Sequence, residues 1–159
     1  MFVFVVATPP KSMTEQRLYI LMRTDLESMG PGRACAMASH ATNAFMKSIG
    51  NNLGVKDWQK ETKQGFGTCI VLGCELPRFN EVMESLKSAR FFCDKVVDPD
   101  YCITVSKEIF SLMDPTAINS GALLENGKVV VSRSETTCAW VFGPIEDLKP
   151  FLQNLPLYG

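Results

Sequence analysis

Arg33, Met37 and His40 stand at i, i+4 and i+7 in a run rich in small residues, and His40 is the one histidine of the chain. In a helix these three share one face, with about 10 Å between the first and the last along the axis. Arg33 can grip a phosphate or stabilise a developing oxyanion. It cannot serve as a base, because guanidinium keeps its proton in proteins. His40 and Asp98 are the groups able to orient or deprotonate a water beside that cation. Asp25, in Arg23-Thr24-Asp25-Leu26, is a further carboxylate; a turn or capping aspartate is its ordinary alternative.

These residues need a strand, a turn and a helix to hold them. Leu18 to Met22 has strand length and composition, and Gly32 to Ile49 has helical periodicity, with Pro31 suited to the first turn and Gly50 to the stop. Ala34, Ala38, Ala41, Phe45 and Ile49 form the apolar stripe, and Arg33, Met37 and His40 are expected opposite it. Strands are expected at Gly67–Leu72, Phe92–Val97 and Thr136–Phe142, and helices at Pro77–Ala89 and Glu146–Asn154. A short helix is expected within Val55–Lys63. Asn126-Gly127 between apolar runs favours a hairpin with a type I′ turn.

This alternation predicts a three-layer α/β/α domain with a mixed, mostly parallel sheet of about four strands plus an inserted hairpin. Ligands in such folds bind outside the carboxyl ends of strands. That rule groups Arg23–Gly32, Asp98–Asp100 and Gly143–Pro144.

The chain has 159 residues, 46% of them hydrophobic and 21% charged, and a net charge of −1. This suits a globular domain and speaks against strong nonspecific nucleic-acid binding, which a basic excess usually accompanies. Six cysteines without a C-x-x-C and a single histidine leave little for a zinc site. Packed, reduced thiols are expected, in a reducing compartment. Residues 1–16 are expected to be an N-terminal extension or an added strand, lacking the charged start of a secretory signal. No segment has the length of a membrane span. A G-x-S-x-G elbow and a P-loop are both absent, and Ser39, Ser132 and Ser134 with His40 make no convincing triad.

Arg23-Thr24-Asp25-Leu26, then Gly32-Arg33 with Ala36 after them, then Ser39-His40-Ala41 resembles the N-terminal signature of the type 2 peptidyl-tRNA hydrolases. Val96-Val97-Asp98-Pro99-Asp100 is similar to the family's strand ending in aspartate. Cys138–Pro144 and Pro156-Leu157-Tyr158 are similar to its last strand and tail. The likeness covers most of 17–100 and 134–159, leaving 101–133 as an insertion in a single domain spanning 17–159.

The resemblance implies hydrolysis of the ester joining peptide to tRNA, in the cytoplasm, without metal or other cofactor. It implies Arg33, His40, Asp98 and Asp25 as catalytic residues, and tRNA as partner, with a homodimer also in keeping with the family. Arg23, Gly32, Ser39 and Lys47 are expected to touch the tRNA. Arg17, Lys56, Lys60 and Lys63 are further candidates to track its phosphates, with Trp58 either stacking on a base or buried. Three positions depart from the family pattern: Arg33 for lysine, Met37 for glutamine and Cys102 for threonine. They keep open a second reading, a weakened or inactive member that binds tRNA or protein.

Overall fold

The structure, a computed structural model, describes residues 14–124 and 126–159. Most of the expected N-terminal extension therefore lies outside the described residues. Two strands, β1 (Gln16–Arg23) and β5 (Lys128–Pro144), form the centre of the sheet. Their side chains alternate with period two. Leu18, Ile20, Met22, Cys138, Trp140 and Phe142 enter one core, while Leu21, Ala139 and Val141 enter the other. A sheet apolar on both faces must be covered on both. Helices α1 (Pro31–Ile49) and α2 (Leu53–Gln59) cover the first face; α3 (Leu76–Ser88) and α5 (Ile145–Leu152) cover the second. The three-layer α/β/α expectation holds.

The remaining strands are β2 (Cys69–Cys74), β3 (Phe92–Ser106) and β4 (Ser120–Leu123), and the sheet runs β2-β1-β5-β3, with β4 also on β5. The sheet is mixed, but its pairing is mostly antiparallel. Only β1 and β2 pair in parallel; β5 is antiparallel to β1, β3 and β4. The cause is connectivity. Helices α1 and α2 carry the chain from β1 over to β2, whereas β5 returns from β3 through a short excursion that reverses direction.

This reversal overturns one expected neighbourhood. Pro144 pairs with Gln16 and Cys138 with Met22. Gly143–Pro144 therefore lies at the start of β1, about 20 Å from the loop after Arg23. Glu135 to Cys138 takes the place expected for it.

Segment 101–133 is built into the sheet. Strand β3 is continuous through Phe92–Ser106, with register shifts between Val96 and Val97 and between Asp98 and Tyr101. Pro99 falls within the second, where no ladder amide is needed. After Ser106 come α4 (Lys107–Leu112), a 3-10 turn at Pro115–Ala117, and β4. The expected hairpin forms, but with a different turn. The Leu124 amide donates to the Lys128 carbonyl, and Gly127 at φ 78° donates to Leu124. Among the described residues, Gly127 is left-handed and Asn126 is not, so the turn is not a type I′ pair.

The aromatic cluster beneath α1 holds that helix in place. Phe45 is fully buried, 5.1 Å from Phe142 and 5.6 Å from both Trp58 and Trp140, ring centre to ring centre. Phe45→Ala is expected to cost about 3–5 kcal/mol in urea unfolding. Phe92→Ala, at an exposed position, should change stability by less than about 1 kcal/mol.

Candidate functional site

Strand β1 ends in a buried cation. Arg23 is 4% exposed. Its Nε and Nη2 donate to the two Asp25 oxygens at 2.9 and 2.6 Å, and its Nη1 donates to Glu135 at 2.6 Å and to the Thr136 carbonyl at 3.0 Å. Four of its five N–H donors are thus occupied by protein acceptors. Expected to touch tRNA, Arg23 instead ties the loop after β1 to β5. The hydrogen bond from Arg23 holds the Asp25 carboxyl below the usual carboxylate range, and the same pairing raises Arg23. Glu135 also accepts from Arg133 at 2.8 Å.

Helix α1 begins without a side-chain cap on Gly30 and without an acid in its first turn, so its first amides and the dipole's positive end stay uncompensated. Arg33 projects from this turn. Its Nη1 donates to Ser28 Oγ at 2.7 Å, to the Ser28 carbonyl at 3.2 Å and to the Cys102 carbonyl at 2.9 Å. Ser28 Oγ donates to the same Cys102 carbonyl at 2.8 Å. The guanidinium carbon lies 4.7 Å from the centre of the Tyr101 ring, a cation–π contact. One terminal nitrogen therefore anchors Arg33 to β3. Its Nε and Nη2 have no hydrogen-bond partner among the described residues. Tyr101 is fully buried and its hydroxyl has no hydrogen-bond partner among the described residues.

The expected apolar stripe of α1 faces the core, with Ala38 and Ile49 packed against it, but Met37 does not lie opposite. Met37 is buried with Ala34, Ala41 and Phe45, and the Thr137 hydroxyl lies 3.1 Å from its sulfur. Residues 34, 37, 41 and 45 form the core-facing stripe, and Arg33 and His40 flank it instead of opposing it. His40, Ser39, Gly32 and Lys47 are exposed. Lys47 is fourteen residues along the helix from Arg33, about 21 Å. Trp58 is core: its Nε1 donates to the Thr68 carbonyl at 2.9 Å. It is no base-stacking platform, while Lys56, Lys60 and Lys63 around it are exposed.

Asp98 is half-buried at the second bulge of β3, opposite Glu135, with its Oδ1 accepting the Asp100 amide at 3.0 Å. Asp100 in turn accepts from Ser132 Oγ at 3.0 Å and from Asn119 at 3.3 Å. Arg33 reaches β3 four residues after Asp98, on the other side of that bulge. The two sit on one stretch of strand but form no ion pair with each other among the described residues.

Sequence reasoning missed Glu135, Tyr101 and Ser28. Glu135 and Tyr101 act across long sequence separations, so no local pattern marks them. Ser28, five residues before Arg33, lay within reach of a capping argument.

Among the described residues, no group of three or more His, Cys, Asp or Glu side chains converges to hold a metal, and no helix is long and apolar enough to cross a membrane. All six cysteines are free; Cys74 and Cys138 are buried, whereas Cys35 and Cys69 are exposed. Burial pushes the Cys138 thiol up to about 11, far from reactive thiolate chemistry.

Asp25→Asn is expected to lower stability by about 1–3 kcal/mol at pH 7. Because its folded pKa is depressed, the stability Asp25 contributes is complete above about pH 4 and is lost as pH falls through the folded value. Urea unfolding of wild type and Asp25→Asn should therefore give a gap that narrows below about pH 4.

The model of the family described as peptidyl-tRNA hydrolase PTH2 matches residues 16–158. Among solved structures, a protein of unknown function from Agrobacterium superposes with a TM-score of 0.52 at 7% identity, covering 92% of this chain and 100% of that one. That likeness shows the fold alone. Comparison with curated sequences gives no match. The family match takes in β1, the turn that positions Arg33, the Asp98 bulge and the C-terminal tail, and the chain belongs to the peptidyl-tRNA hydrolase PTH2 family.

Proposed function

We propose that this protein hydrolyses the ester of peptidyl-tRNA in the cytoplasm, with Arg33 as the fixed cation of the site. The observation that carries this reading is the anchoring of Arg33 through one nitrogen, which leaves its Nε and Nη2 donors unpaired beside an uncapped helix start. Such donors, held before the reaction, suit a carbonyl oxygen that gains negative charge.

In this mechanism water adds to the ester carbonyl carbon and gives its proton to the Asp98 carboxylate. Arg33 and the first amides of α1 stabilise the tetrahedral oxyanion. The intermediate collapses by breaking the bond to the ribose oxygen, which takes the proton back from Asp98 and leaves as a tRNA hydroxyl, and the carboxylic acid formed loses its proton to solvent. The other product is a peptide carboxylate. Asp25 acts indirectly, by holding Arg23 and with it the loop that carries Ser28. His40, exposed and about 10 Å along the helix from Arg33, suits a contact with the acceptor end, as do Ser39, Gly32 and Lys47.

One observation favours the second reading, a binding module. Met37 is buried in the core, so this chain presents no polar group where family members carry glutamine. Such a module would bind tRNA without cleaving it.

Hydrolysis of N-acetyl-aminoacyl-tRNA separates the two. Wild type is expected to turn over, and Arg33→Ala to lower kcat/KM by about 100-fold. Asp98→Asn is expected to lower kcat by about 100-fold. Binding without turnover above background at micromolar protein would establish the module instead.

A further inference from the structure

Strand β3 has β5 on one side and no strand on the other among the described residues. Register decides which backbone groups face the open side. Ser132 turns its carbonyl toward the β4 side of β5, accepting the Asn119 amide at 2.8 Å, and Lys128 does likewise with the Leu124 amide at 2.7 Å. Lys128, Val130 and Ser132 thus face β4. Their partners on β3, Ser106, Thr104 and Cys102, must then turn their backbone groups away from β5. The Cys102 carbonyl agrees, because Ser28 and Arg33 reach it from outside the ladder. Beyond it, the amide and carbonyl of Thr104 and the amide of Ser106 have no strand partner among the described residues.

A groove of about 470 Å³ runs along this edge. It is lined by Leu26 and Glu27 of the loop after β1 and by Ile103 to Ser106 and Ile109. Its charged residues balance, Asp25 and Glu27 against Lys128 and Arg133. A phosphate chain calls for a cationic excess that is missing here. An apolar lining beside free backbone donors and acceptors suits an extended peptide.

We propose that this edge is the subsite for the peptidyl part of the substrate, which binds as an added strand hydrogen-bonded to Thr104 and Ser106. The proposal rests on the hydrolase reading above. Peptides on tRNA vary in sequence, and strand addition recognises the main chain irrespective of side chains. Thr104 is two residues from Cys102, about 7 Å along the strand. A peptide paired there would present its terminal ester to Arg33.

Thr104→Pro removes the outward amide and leaves the β3–β5 ladder intact, because edge positions whose N–H faces solvent tolerate proline. Two measurements on the full chain test the subsite. In the first, a blocked tetra-alanine peptide is titrated and backbone amide shifts are followed by NMR. Shifts centred on Thr104 and Ser106 are expected in wild type, and Thr104→Pro should lose the shift at Ser106. Shifts elsewhere, no shifts, or the same shifts with a CCA trinucleotide would overturn the proposal. In the second, wild type should show a KM about 10-fold lower for tetra-alanyl-tRNA than for N-acetyl-alanyl-tRNA. Thr104→Pro should erase that difference by raising KM for tetra-alanyl-tRNA. Methylating the peptide amides of the longer ester should erase it too, with the protein unaltered. Equal KM values in wild type would overturn the subsite. If neither ester is cleaved, the hydrolase reading fails, and the peptide titration still decides whether the edge binds peptide.

Discussion

The carbonyl of Cys102 turns away from β5, and both the loop after β1 and the start of α1 are moored to it. Ser28 and Arg33 share this one acceptor at 2.8 and 2.9 Å. A hydrogen bond to a charged donor contributes about 1.5–3 kcal/mol, and the buried Tyr101 ring adds a cation–π contact beneath the guanidinium. The orientation of Arg33, the course of the 24–30 loop and the exposed edge of β3 all depend on that carbonyl's direction. The direction in turn follows from the bulge between Asp98 and Tyr101, since a one-residue change of register would reverse which groups face outward.

A second network fixes the other end of the loop. Arg23 is buried between Asp25 and Glu135. Removing either carboxylate would leave a buried cation less compensated, which costs more than the pair itself contributes. The loop is therefore pinned at Asp25 by an ion pair and at Ser28 by the Cys102 carbonyl. Arg23 and Arg33 divide the cationic work. The first is consumed in holding structure together, and the second keeps donors free. Ten residues apart, they could not be told apart by type.

Strand β1 and helix α1 were legible because their signals are local: the apolar run Leu18 to Met22, and Pro31 at the helix start. The core face of α1 was legible at Ala34, Ala41 and Phe45, with Ala38 and Ile49 packed beside it, and the error lay in placing Met37 opposite. Including Met37 as an apolar residue gives the stripe 34, 37, 41 and 45 that is buried. The reversal of β5 was half visible. Asn126-Gly127 marked a hairpin, and a hairpin requires antiparallel neighbours, yet helix–strand alternation suggested parallel pairing. The partnership of Arg23 with Glu135 crosses 112 positions and leaves no trace in local pattern. The same holds for Tyr101 beneath Arg33. Such contacts are set by strand register, which a hydrophobic pattern fixes only to the level of which face is buried.

The arginine at position 33 is chemically informative. Guanidinium holds its proton throughout the range in which proteins are folded, so Arg33 can supply charge and hydrogen bonds but not basicity. The most direct measurement is chemical rescue of Arg33→Ala in the hydrolysis of N-acetyl-aminoacyl-tRNA. If position 33 supplies a cation, added guanidinium restores turnover, and imidazole at the same concentration does not. Rescue by imidazole alone, or an Arg33→Ala variant as active as wild type, would contradict the role assigned to Arg33.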